Sequence, residues 1–198
     1  KTKIQKDNKM KSIVDGNNAL IQPTLKNIKL NVHGQELVLV YGNVGSGKSS
    51  LLNAILGECP CIVDKAISSN GDIEVAGSVS YVPQVPFILN TTLRENIVFG
   101  NKFNMDWYEK VIHACALGSD LEQLAEGDST EIGERGINLS GGQKMRVALA
   151  RAVYANTQIY LLDDPLAAVD AHVAKHIFDH VISNAGLLGN KLRLLTCH

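Results

Sequence analysis

The sequence contains no long apolar run. No stretch approaches the roughly 18 consecutive apolar residues of a membrane-spanning helix, and no secretory signal is visible. Neither charge sign dominates. With 19 Lys and Arg against 20 Asp and Glu, the formal net charge is -1. That argues against nucleic acid as a partner, because such binders carry a basic excess. The cysteines Cys59, Cys61, Cys115 and Cys197 form no CxxC pair and no zinc-ligand spacing. This disfavours a disulfide framework and favours a reducing compartment. Aromatic residues make up only 5%, and residues 1–40 contain no Phe, Tyr or Trp. Neither an internal repeat nor a low-complexity tract is present.

What remains is an ordinary globular composition, 45% hydrophobic and 20% charged, in 198 residues. That length suits one domain with room for a subdomain, burying about 70% of its unfolded surface. Lys1, Lys3, Lys6, Lys9 and Lys11 crowd a polar stretch at the start. Residues 1–15 therefore read as a Lys-rich solvated linker, a lipid-headgroup contact being the less favoured alternative. Residues 16–198 read as the folded domain. Thr24 to Asn31 alternates like a strand, and His33-Gly34 reads as a turn. Glu36 to Tyr41 reads as a buried strand running into a glycine-rich loop, with a helix over Ser49 to Leu56. Gly71 to Pro83 suggests a hairpin. Residues 85–155 read as mainly helical, with Asp106 and Ser119 as caps and an amphipathic helix from Gly141 to Tyr154. Gln158 to Leu162 and Leu192 to Thr196 read as buried strands flanking a helix over Ala171 to Ser183. Strands and helices alternate at both ends, which predicts an α/β core with a mainly parallel sheet.

Three motifs carry chemistry. Gly42-Asn43-Val44-Gly45-Ser46-Gly47-Lys48-Ser49 satisfies the phosphate-loop pattern in full. Its glycines let backbone amides approach phosphate, Lys48 reaches the β- and γ-phosphates, and the Ser49 hydroxyl suits Mg²⁺. Ile159-Tyr160-Leu161-Leu162-Asp163 places a carboxylate at a strand end, where Asp163 would hold Mg²⁺ through water. Ser140-Gly141-Gly142-Gln143 matches a helix capping box, yet two glycines are poor helix formers. A helix start opened by glycines also suits a γ-phosphate, and the two roles are compatible. His172, His176 and His180 share one helix face. Without supporting carboxylates or cysteines, a solvated or interface face is preferred over a metal site.

Together with Leu139, the last motif reads LSGGQ, and the chain resembles the nucleotide-binding domain of an ABC transporter over roughly residues 24 to 198. The resemblance implies a phosphate-loop NTPase core with a mainly parallel sheet, a small antiparallel β subdomain and an inserted helical subdomain at about 85–155. It implies Mg²⁺ and ATP as cofactors, bound by Gly42, Asn43, Val44, Gly45, Ser46, Gly47, Lys48, Ser49, Ser50 and Gln84. Ser49, Gln84 and Asp163 would serve the metal, and Asp164, His198 and Gln84 the catalytic step. Ser140, Gly141, Gly142 and Gln143 would act in trans, on ATP held by a second nucleotide-binding domain. That domain and membrane-spanning domains would belong to the same polypeptide, at the cytoplasmic face of a membrane, with the isolated domain monomeric. Thr130 to Gly136 resembles the exporter segment that touches the membrane domain. Ala167-Ala168-Val169-Asp170 resembles the loop linking the two sites. The segments Asn90 to Ile97 and Asp163 to Val173 resemble the first such domain of multidrug-resistance-associated transporters, the C subfamily. Family domains usually continue further, so truncation after His198 is expected.

Two departures stand out. The family usually has Glu where this chain has Asp164. Asp is one methylene shorter and sets its carboxylate back by about 1.5 Å. A misplacement of about 1 Å can cost on the order of 100-fold in rate. Slow hydrolysis with binding retained is therefore expected. The usual adenine-stacking aromatic is also missing, leaving Leu20 or Ile21 as apolar substitutes, while Tyr41 is expected to point into the core. An ATP-sensing regulatory domain of a channel or receptor of the same subfamily is the alternative. A chromosome-maintenance ATPase is disfavoured, because only about ninety residues without a heptad run separate the phosphate loop from LSGGQ.

Overall fold

The computed structural model describes residues 13–14, 20–21, 24–59, 61–63, 66–68, 73–133 and 139–198. The chain divides into two compact bodies, one within Lys1–Val32 and Asn43–Ala76, the other His33–Gly42 with Gly77–His198. The Lys-rich linker lies almost wholly outside the described residues, as do the side chains of Leu20 and Ile21.

The first body holds two antiparallel ribbons. Strand β1 (Ile13–Val14) pairs with β2 (Leu20–Ile21), and β4 (Cys61–Val63) pairs with β5 (Ala66–Ser68). Between the ribbons in sequence comes α1 (Lys48–Ile55), which buries Leu51 and Leu52. Thr24 to Asn31 forms no strand. Asn27 adopts φ 51, a left-handed conformation that breaks an extended ladder, so the apolar alternation becomes only partial burial of Leu25, Ile28 and Leu30.

The second body is built on a four-stranded parallel sheet in the order β3 (Leu37–Tyr41), β8 (Leu192–Cys197), β7 (Ile159–Asp163), β6 (Val79–Val82). Every residue of β7 is buried, as suits a strand covered on both faces. Strand β3 lies at the edge. Its Leu39 and Tyr41 are 54% and 80% exposed, so Tyr41 points outward rather than into the core. Leu39 and Tyr41 share one face of the edge strand by strand period. The expected hairpin is also replaced. Ile73 to Val75 forms no strand, and residues 71–72 lie outside the described residues. Ser78 instead bonds the 158–159 segment: its carbonyl accepts from the Gln158 and Ile159 amides at 3.1 and 3.0 Å. Long-range pairing with a fully apolar strand wins over a local turn.

Four helices follow β6: α2 (Leu93–Val98), α3 (Met105–Ala114), α4 (Gly118–Gln123) and α5 (Gly141–Tyr154). Asn104 rather than Asp106 caps α3, accepting from the Trp107 amide at 2.9 Å. Asp106 sits inside the first turn, where the helix dipole favours it. Helix α5 buries every residue from Val147 to Tyr154, and its alanines let neighbours approach closely. One core joins Val82, Leu162 and Leu195 of the sheet to Ile97, Val111, Leu149 and Val153 of the helices. After β7, α6 (Ala171–Ile177) starts on Asp170 and passes into a π-helical turn over Phe178–Ile182 before β8.

A buried polar knot ties α2 to α5. The side chain of fully buried Asn96 accepts from the Leu89 amide at 2.8 Å and from Arg151 Nη2 at 3.0 Å, and donates to the Leu89 and Thr92 carbonyls. Arg151 also donates to the Asn96 and Phe87 carbonyls, with Phe87 and Phe99 rings 4.2 and 4.8 Å from its guanidinium. Burial lowers the Arg151 pKa to about 10, so it stays charged at neutral pH. Asn96→Ala strips partners from several buried groups at once, at a cost of about 3 kcal/mol. Thermal unfolding should show a melting temperature lower by roughly 6–12 °C; a shift within 2 °C or so would refute the knot's importance.

Candidate nucleotide-binding site

The phosphate loop lies in the first body from Asn43 onward. Gly45 and Gly47 have φ 76 and 93, a region that L side chains rarely adopt, and a Cβ on Gly47 would sit 3.0 Å from Leu25 Cδ2. The loop closes through the Ser46 amide to the Asn43 carbonyl at 3.2 Å, and Lys48 Nζ donates to the same carbonyl at 3.1 Å. Helix α1 begins at Lys48, and the amides of its first turn have no intrahelical acceptor. Glycine turns, a helix start and a lysine together fit a polyphosphate.

In the second body, parallel pairing brings the expected residues to one edge. Val82 lies opposite Leu162, Asp163 opposite Thr196, and Tyr41 opposite Cys197. The residues following these strands, Gly42, Gln84, Asp164 and His198, therefore all leave from the carboxyl edge of the sheet. Open α/β sheets bind ligands at that edge. Asp163 and Asp164 are 3% and 7% exposed, and Gln84 is exposed. Asp164 has φ 52, so the chain turns left-handed directly after the buried strand. Its Oδ2 lies 2.9 Å from His198 Nε2, an ion pair when the imidazole is protonated. Thr196, fully buried, donates to Asp163 Oδ1 at 2.7 Å and accepts from the Asp164 amide at 2.9 Å. Within this body Asp163 and Gln84 offer hard oxygen donors of the kind that Mg²⁺ takes.

The signature segment opens α5, and Ser140 caps it. Ser140 Oγ accepts from the Gln143 amide at 3.2 Å, and Gln143 Oε1 accepts from the Ser140 amide at 2.8 Å. Gln143 Nε2 donates to Asp120 Oδ1 at 2.9 Å. Asp120 also pairs with Arg146, whose guanidinium donates to the Ala116 carbonyl as well. Gln143 is thus held within its own domain on both amide atoms. Gly142 needs its missing side chain, because a Cβ there would stand 3.0 Å from the Ala168 carbonyl. The signature thus lies close beside the segment from Ala167 to Asp170. Asp170 caps α6, and the Val173 amide, with that of His172, holds its carboxyl below the usual range. Of Thr130 to Gly136, Ile132 is buried and Glu131 bridges Thr92, while residues 134–136 lie outside the described residues.

Two of the three helical histidines face another helix. His176 and His180 pack with His113 of α3, ring centroids 4.3–5.4 Å apart, and His176 Nε2 lies 2.9 Å from the His113 carbonyl oxygen. Among the described residues no His, Cys, Asp or Glu group is arranged to hold a metal. Sequence reasoning missed Thr196, Asp120 and Arg146. A threonine in the apolar strand Leu192–Cys197 was a readable signal; nothing local marked Asp120.

A glycine loop at a helix start and a carboxylate at the end of a buried parallel strand define a nucleoside-triphosphate-binding domain of the phosphate-loop class. Residues 25–167 match the ABC transporter family. The chain is 54% identical over 184 residues to Multidrug resistance protein mrp-7 of Caenorhabditis elegans, covering 93% of this chain and 12% of that protein. It is 53% identical over 178 residues to ATP-binding cassette sub-family C member 3 of Homo sapiens, covering 90% of this chain and 11% of that protein. Against sub-family C member 2 of Homo sapiens the identity is 52% over 177 residues. The chain belongs to the ABC transporter family, as one of its ATP-binding domains, and the expected likeness to the C subfamily is borne out. It spans about a ninth of the length of these relatives. No helix among the described residues is long and apolar enough to cross a membrane.

Asp120 and Arg146 are both largely enclosed, with side chains 11% and 13% exposed. Asp120→Ala leaves the guanidinium enclosed without its counter-charge and frees Gln143, at a cost of about 3 kcal/mol. Denaturant titration should resolve that loss; a change below about 1 kcal/mol would mean the pair behaves as an ordinary surface bridge.

Proposed function

We propose that this chain is one ATP-binding half of a membrane exporter and that its own site hydrolyses slowly. Lys48 and the loop amides hold the phosphates; Ser49, Gln84 and Asp163 hold the metal. A magnesium ion held there would supply positive charge to offset that of the phosphates. Asp164 orients the attacking water and takes its proton, and His198 steadies Asp164 and reaches the γ-phosphate. Closure against a second nucleotide-binding domain of the same polypeptide puts Ser140, Gly141 and Gly142 onto the partner's ATP, with Gln143 and Asp120 keeping that segment in place. Binding energy released on closure, more than hydrolysis here, drives membrane-spanning domains at the cytoplasmic face. Val85, Phe87 and Leu89, next to Gln84 and 82%, 50% and 44% exposed, suit docking onto such domains. The name of one relative, Multidrug resistance protein mrp-7, and the likeness of Thr130 to Gly136 to exporter segments support export.

The slow site rests on one observation. Asp164 stands where a glutamate is usual, with its backbone at φ 52 and its carboxylate 2.9 Å from His198 Nε2. Its side chain, one methylene shorter, reaches the water less well, so proton transfer is slow.

Two measurements check this reading. Mg-ATP should raise the chain's melting temperature, and Lys48→Ala should weaken that binding by at least about tenfold, having removed a charged phosphate donor. Equal stabilisation of both proteins would remove the phosphate loop from the account. In the full-length protein, Asp164→Glu should raise ATP turnover by roughly tenfold or more. An unchanged rate would show that Asp164 already serves as a competent base.

A further inference from the structure

We infer that Thr196 is a positioning residue for the metal-binding edge, and that one hydroxyl sets both acidic residues at the end of β7. The inference rests on the Mg-ATP reading above. The parallel register puts Thr196 directly beside Asp163. The hydroxyl is completely buried, so water cannot substitute for either of its bonds. Its single proton goes to Asp163 Oδ1 at 2.7 Å, and a lone pair accepts the Asp164 amide at 2.9 Å.

Each bond has a separate consequence. The first fixes the plane of the Asp163 carboxylate and engages one of its oxygens, so the acid meets a cation in a set orientation instead of a rotating one. The second satisfies the amide of a residue that has left the strand ladder. Asp164 is 7% exposed and left-handed, and without an acceptor its N–H would be a desolvated donor. Stabilising that turn carries the Asp164 carboxylate to His198, 2.9 Å away. Threonine suits the task because β-branching restricts χ1 in a strand and pre-aims the hydroxyl. Valine has nearly the same shape and neither bonding capacity.

Groups that orient a metal ligand typically matter by 10–100-fold in metal affinity. Thr196→Val should therefore raise the Mg²⁺ concentration at which ATP half-maximally stabilises the chain by about tenfold or more. ATP binding in excess EDTA should stay at the wild-type level, because the phosphate loop is untouched. Thr196→Ser keeps the donor and should remain within about threefold of wild type in Mg²⁺ demand, a smaller step than metal-ligand orientation carries. Thermal stabilisation against Mg²⁺ at fixed ATP reads all of this without any turnover. If the valine variant does not fold, Thr196→Ala carries the same expectation. A purely structural role would lower the melting temperature of the nucleotide-free chain and leave the Mg²⁺ midpoint where it was, which would overturn the inference. So would an equal loss of binding with and without metal. Wild-type chain that ignores Mg-ATP altogether would instead sink the functional reading on which the inference stands.

Discussion

The register between β7 and β8 fixes most of what the site can do. Pairing Asp163 with Thr196 in a parallel ladder carries the acid to the edge where Gly42, Gln84 and His198 also emerge. A slip of one residue would exchange the side chains that β7 packs on its two covered faces. It would also replace Thr196 opposite Asp163 with Leu195 or Cys197. The strand is held against slipping by burial of all five of its residues. The placement of the acid thus depends on a hydrophobic pattern that has no chemistry of its own.

The same dependence holds for the signature. Ser140 and Gln143 look like parts of a ligand-binding string, yet they are committed inside the domain, to the cap and to Asp120, and Gly142 lies where a Cβ would crowd the Ala168 carbonyl. Their fixed placement follows from α5, whose long buried face leaves the helix no freedom to rotate. A segment held this way meets a second domain at lower entropic cost than a mobile loop would.

Much of this was legible in the sequence because local and global signals agreed. Helix α5 has the predicted bounds, Gly141 and Tyr154, since a capping box and an amphipathic run mark the same start. The strands around Leu37, Ile159 and Leu192 stand out as apolar runs of strand length. The failures arose where distance in sequence decides. Val79–Val82 has the look of a hairpin arm until Ile159 claims it from eighty residues away. The apolar run around Tyr41 suggests an inward side chain, and sheet order alone tells that β3 is an edge. Asp164 was legible as a shortened side chain; its left-handed backbone and its contact with His198 were not.

The proposed division of labour has this chain hold ATP and hydrolyse it slowly while its signature serves another site. Photolabelling of the full-length protein during turnover, with azido-ATP carrying the label on either the α- or the γ-phosphate, tests it directly. Cleavage between the two domains then assigns the label to each. The account expects this chain to retain α- and γ-label in nearly equal measure, meaning intact triphosphate, while the partner domain loses its γ-label. Loss of γ-label from this chain at the partner's rate would contradict it.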